Sequence, residues 1–67
     1  MYKINEMETS ICVIYNNRRA IISCQYDTEY MPTGYLNLIS EEETIQSFAV
    51  PEIQNKINKK EITVMEI

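Results

Sequence analysis

Two apolar, β-branched runs flank Asn16-Asn17-Arg18-Arg19 in the segment SICVIYNNRRAIISCQY, residues 10–26. This segment constrains the fold more than any other. Ile and Val favour pleated strands, and Asn tolerates the left-handed backbone of a tight turn, so the segment is read as a β-hairpin. A one-residue slip would move every side chain to the other face, so the register matters. With Asn16 and Asn17 as the two loop residues, Tyr15 stands opposite Arg18. Ile11, Val13, Tyr15, Ala20, Ile22 and Cys24 then share one apolar face. Ser10, Cys12, Ile14, Arg19, Ile21 and Ser23 share the other, mixed face. A three-residue loop instead sets Cys12 across from Cys24 and mixes Ser23 and Gln25 into the apolar face. The first register is preferred, and it sends the two cysteines to opposite sides of the sheet with no disulfide between them.

The remaining segments are read around this hairpin. A possible short edge strand covers residues 1–4, with Tyr2 and Ile4 on one face, and residues 5–9 form a polar connection. In DTEYMPTG, residues 27–34, Pro32 biases Met31 to extended geometry, and Gly34, the only glycine, marks a backbone that needs positive φ. YLNLI, residues 35–39, reads as a third strand. Ser40-Glu41-Glu42-Glu43 matches a capping box, with glutamates where a helix dipole favours negative charge. Ile45, Phe48 and Ala49 follow at helical spacing. Pro51 disrupts a helix interior but suits a first turn. The expectation is a helical segment over residues 41–58, broken or kinked at Pro51, with Lys56, Lys59 and Lys60 towards its C-terminal end. EITVMEI, residues 61–67, closes as a strand. The expected fold is a single α+β domain over residues 1–67, a mainly antiparallel sheet covered on one face by the helical segment.

Chemistry is sought and not found. The chain has no His, which removes the commonest general base and any Ser/His or Cys/His nucleophile pair. Cys12 and Cys24 lie inside apolar runs and read as structural thiols. A single glycine rules out a Gly-rich phosphate loop, and two Cys without His make no zinc site. No catalytic residue, cofactor or metal is expected, and the chain is read as a non-enzyme.

The composition, 45% hydrophobic and 24% charged, is that of a globular chain. A formal net charge of −4 repels phosphate backbones, so nucleic-acid binding is disfavoured. Glu41-Glu42-Glu43 is explained as helix N-terminal charge more simply than as mimicry of a phosphate backbone. No apolar h-region or long apolar run is present, so neither a signal peptide nor a membrane span is expected, and the chain is placed in a cytoplasm. Abundant Ile, Asn, Lys and Glu point to an AT-rich bacterial or phage genome.

A chain of 67 residues buries only about 60% of its unfolded surface and commonly relies on a partner for support. Tyr26, Tyr30 and Tyr35 surround Met31-Pro32, and Tyr and Met are enriched at protein interfaces. The alternative use of this loop is to plug one end of the core. Arg18 and Arg19 at the hairpin tip either solubilise the turn or form a small claw for an acidic partner. The mixed face, with Cys12, Ile14 and Ile21, carries more apolar surface than solvation requires. The expected function is protein binding by a small inhibitor or regulator from a phage or mobile element, acting by steric occlusion. The alternative is a homodimeric structural subunit.

Overall fold

A computed structural model of the chain describes residues 2–65. Five strands and one helix follow in the order β1 (Ile11–Tyr15), β2 (Arg18–Tyr26), β3 (Pro32–Ser40), β4 (Ile45–Ala49), α1 (Val50–Asn58) and β5 (Ile62–Val64). The strands form one sheet in the spatial order β4-β3-β2-β1-β5, and every neighbouring pair is antiparallel. The helix packs on one face. This is a small α+β fold, as the alternation of strand and helix patterns leads one to expect.

The hairpin adopts the two-residue loop. Tyr15 pairs with Arg18, Val13 with Ala20 and Ile11 with Ile22. Asn16 and Asn17 have φ of 54° and 62°, the two successive left-handed residues of a type I′ turn. Val13, Ala20 and Ile22 are buried under the helix, with Ile11, Tyr15 and Cys24 packed around them. Cys12 and Ile21 lie directly opposite each other on the uncovered face.

Residues 41–49 are not helical, which corrects the expected helix over 41–58. Glu41, Glu42 and Glu43 form a three-residue hairpin loop instead. The Glu43 amide donates to the Ser40 carbonyl at 2.9 Å, and the Ser40 amide to the Thr44 carbonyl at 3.0 Å. Glu43 itself is left-handed at φ 64°, completing a type I turn plus bulge. Ser40 caps no helix; its Oγ accepts the Thr44 amide at 3.2 Å. The residues beyond this loop pair with β3 along its outer edge, Ile45 with Ile39 and Phe48 with Leu36. Two causes account for the change. A helix begun at residue 41 would carry Pro51 in its interior, at about 3 kcal/mol, whereas one begun at Val50 holds it harmlessly in the first turn. One short stripe of three apolar residues is also too little to nucleate a helix against the pairing offered by β3.

The third strand is longer than the expected 35–39, running from Pro32 to Ser40, and the closing strand is shorter, Ile62–Val64. Glu66 and Ile67, the end of the expected 61–67 strand, lie outside the described residues, as does Met1. Residues 2–4 form no strand. They are bound to the helix instead: the Gln54 side chain accepts the Ile4 amide at 2.8 Å and donates to the Tyr2 carbonyl at 2.9 Å. Ile4 is thereby buried in the core. The polar stretch then turns through Asn5, and the Glu8 carbonyl accepts the Cys24 amide at 2.6 Å.

Helix α1 buries Ile53 and Ile57, four residues apart, against Val13, Ile22, Leu36, Leu38 and Ile62. Half-buried Lys56 spans from the core to the surface, its Nζ 5.2 Å from the Phe48 ring centre and 5.9 Å from that of Tyr15. The helix ends in a Schellman motif: the Glu61 amide donates to the Lys56 carbonyl and the Lys60 amide to that of Ile57. Lys60 occupies the left-handed position at φ 63°, where glycine carries no Cβ penalty. Lys60→Gly is expected to stabilise the protein by about 1 kcal/mol, read as a higher urea midpoint with an unchanged slope. A lower midpoint contradicts this account of the C-terminus.

Candidate functional site

The sheet divides the molecule into a covered face and an open one. On the open face the pairings line up side chains from four strands: Ile45 (β4) beside Ile39 (β3), beside Ile21 (β2), beside Cys12 (β1). The Met65 amide donates to the Cys12 carbonyl, which extends the row past β5. An apolar row thus crosses the whole sheet, with Ile21 41% and Ile45 62% exposed. One residue pair further along the strands, the row changes character to Ser23, Asn37 and Ser47. Here Gln25 Nε2 donates to Asn37 Oδ1 at 3.3 Å and to Ser47 Oγ at 3.4 Å, while its Oε1 accepts from Thr33 at 3.1 Å.

On the other side of the apolar row, Arg19 and Glu41 stand at its edge. They close a shallow groove of about 380 Å³ whose floor is Cys12, Ile21, Ile39 and Met65. Neither Arg19 nor Glu41 meets an opposite charge among the described residues.

The two arginines at the hairpin tip are not brought together. They are consecutive in a strand and leave from opposite faces. Arg18 is ion-paired with Glu42 of the β3–β4 loop, and both groups are largely exposed. Arg19 lines the groove with Glu41. Ile14 lies on the open face beside Arg19 and is half-buried.

The tyrosine loop closes the opposite end of the sheet. Asp27 organises it: its Oδ1 accepts the amides of Glu29 at 2.8 Å and Met31 at 3.0 Å. Its own amide donates to the Met31 carbonyl at 2.9 Å, and its carbonyl accepts the Tyr30 amide at 3.1 Å. The backbone is pinned, yet the large side chains point outward. Tyr30 is 85% exposed and Met31 58%. Tyr30 has φ 61°, a left-handed conformation that is a genuine outlier for so bulky a residue. Gly34 follows at φ 83° with open space around it. Tyr35 lies on the open face beside Ala49, and Tyr26 pairs with Pro32 where the β2–β3 register shifts. The Tyr26 phenol is raised above the ordinary tyrosine value, chiefly by its hydrogen bond to the Cys24 side chain, then by the charge that thiol can carry. It stays neutral at physiological pH. None of Tyr26, Tyr30, Met31 and Tyr35 is buried, so the loop does not plug the core.

Cys12 is exposed on the open face and Cys24 half-buried on the covered one, both as free thiols. Among the described residues no three His, Cys, Asp or Glu side chains gather as a metal would need, and no polar or charged residue is buried. Among the described residues no helix is long and apolar enough to cross a membrane.

Reading the sequence missed Ile39, Ile45 and Glu41 as members of the open-face surface. The sequence pattern puts Ile45 on a helical stripe and Glu41 at a helix N-terminus. Ile45-Gln46-Ser47-Phe48-Ala49 has no strict period-2 alternation, so no local signal marks it as a strand. Comparison with known proteins finds no matching protein family, no matching curated protein and no matching solved structure.

Proposed function

We propose that this chain acts by binding another protein, as a small acidic inhibitor or regulator of phage or mobile-element origin that occludes its partner's surface without catalysis. The observation that carries this reading is Tyr30. Its ring is almost wholly in solvent, and its backbone sits in a conformation that costs an L-residue about 1–2 kcal/mol. Neither property helps the fold. A small polar residue or glycine at this position would serve stability better on both counts. Strain retained on a pinned loop tip, together with exposed Met31 and Tyr26 alongside, is what a preorganised contact surface requires. Tyrosine suits that role because it brings a large rigid ring and a polar end at little entropy cost. The sequence holds no His, the commonest general base, and its one Gly is too few for a Gly-rich phosphate loop.

Tyr30→Gly tests this directly, because stability and function are expected to move in opposite directions. The variant is expected to unfold about 1 kcal/mol later than the parent chain in urea. It is also expected to lose a stoichiometric partner that the tagged parent protein recovers from a bacterial host lysate. Retention of that partner by Tyr30→Gly, or failure of the parent chain to recover one, overturns the reading.

A further inference from the structure

From the open face we infer that the chain forms a two-fold dimer, sheet against sheet, with Arg19 of each copy paired to Glu41 of the other. This surface is separate from the Tyr30 loop, so the inference does not depend on the function proposed above. Three observations carry it together. First, the apolar row Cys12–Ile21–Ile39–Ile45 spans four consecutive strands with Met65 at its end, and no element of the described chain covers it. Second, the groove on that row carries one charge of each sign, Arg19 on β2 and Glu41 just beyond β3, and neither is matched among the described residues. Third, the two charges line the same groove from adjacent positions, Arg19 next to Ala20 on β2 and Glu41 next to Ser40, the partner of Ala20, at the end of β3, an arrangement that a two-fold axis can make complementary to itself.

The geometry follows from the pairing register. Place the axis along the strands, midway between β2 and β3. Each β2 then faces the other copy's β3, and each β1 faces its β4. Ile21 meets Ile39, Cys12 meets Ile45, and the polar pair Ser23 and Asn37 meet each other. Arg19 meets Glu41 twice, once on each side of the axis. Such an axis corresponds to aligned packing of two sheets about 10 Å apart, within about 30° of each other, a common way to bury two sheet faces. The apolar row forms the dry centre, and the ion pairs lie at its rim. Isologous contacts of this kind close after two copies. A foreign partner could match the apolar row equally well. The pair of opposite charges on one groove, Arg19 on β2 and Glu41 in the loop after β3, favours a second copy, because one operation satisfies both.

Sedimentation of the full chain across the micromolar range is expected to show a monomer–dimer equilibrium. Arg19→Glu alone and Glu41→Arg alone each place like charges across the interface and are expected to raise the dissociation constant about tenfold or more. Mixing the two single variants is expected to restore association near the parent level, as a heterodimer in which both contacts are again opposite in sign. Ile21→Glu is expected to abolish the dimer while leaving the circular dichroism spectrum and a cooperative melt in place, since Ile21 is not part of the buried core. A parent chain that stays monomeric throughout overturns the inference. So does a mixture of the two single variants that fails to associate while the Arg19→Glu/Glu41→Arg double variant does, because the charges then pair within one chain. Tyr30→Gly is expected to dimerise like the parent chain, which keeps this test separate from that of the loop.

Discussion

Ile53→Ala is expected to bring the protein to the edge of unfolding. Ile53 is fully buried in the helix and faces a sheet whose inward side chains, Val13, Ile22 and Leu36, are themselves fully buried. Removing three heavy atoms from such a site costs about 2–5 kcal/mol, the transfer free energy plus the cavity left behind. A chain of 67 residues has about 3–10 kcal/mol of total stability at the usual per-residue values. One substitution therefore removes around half of it. The helix has little else to hold it: it is nine residues long, its N-cap is Ala49 without a side-chain cap, and Ile57 is its other fully engaged residue. Urea titration followed by circular dichroism is expected to show a much lower midpoint, with Ile53→Val falling only about 0.5–1.5 kcal/mol below the parent. Equal losses for the two variants contradict the close packing described here.

The second large effect is expected from Gln54→Ala. This amide side chain holds the N-terminal segment by two hydrogen bonds, to the Ile4 amide and the Tyr2 carbonyl, and it meets Asn58 Oδ1 at 2.9 Å. Ile4 belongs to the buried core, so its amide has limited access to replacement water. Leaving such a donor unpaired costs about 1–3 kcal/mol. Hydrogen exchange reads the effect locally: the Ile4 amide is expected to lose its protection, while the Val13 and Ile22 amides, in the centre of the sheet, keep theirs. Protection unchanged at Ile4 refutes the anchoring role assigned to Gln54.

How far the sequence discloses this fold depends on where the information sits. The hairpin is legible because the two-residue Asn-Asn loop is the one that gathers an apolar face, so turn and pattern agree on one register. The break at Pro51 is legible for a local reason, the ring's conflict with a preceding turn, and the helix indeed begins at Val50. The identity of residues 41–49 is not, because S-E-E-E-T carries the same residue types whether it caps a helix or turns a hairpin. What decides is tertiary: the free edge of β3 rewards pairing of Ile45 with Ile39 and Phe48 with Leu36. The same misreading hid part of the open face, since Ile45 joins that surface only once β4 is a strand. The alternation of Tyr2 and Ile4 suggests a strand over residues 1–4, but the anchor of residues 2–4, Gln54, lies fifty residues from Ile4 in sequence and leaves no local trace. In the loop, the prominence of Tyr26, Tyr30, Met31 and Tyr35 could be read from composition. Their outward placement depends on the Asp27 hydrogen bonds and could not.

The strand order has a kinetic consequence. From β1 to β4 the chain meanders, each strand beside the one before it, so every pairing closes a short loop. The last connection differs. After β4, at one edge of the sheet, α1 carries the chain across the covered face to set β5 beside β1 at the far edge. Loop-closure entropy makes local hairpins form early and distant docking late. The four-strand meander is thus the natural scaffold of the folding transition state, and the arrival of Ile53, Ile57 and Ile62 seals a core that the meander has already laid out. Until that moment both faces of the young sheet are bare. The interval before the helix lands is when the chain is most exposed to wrong associations.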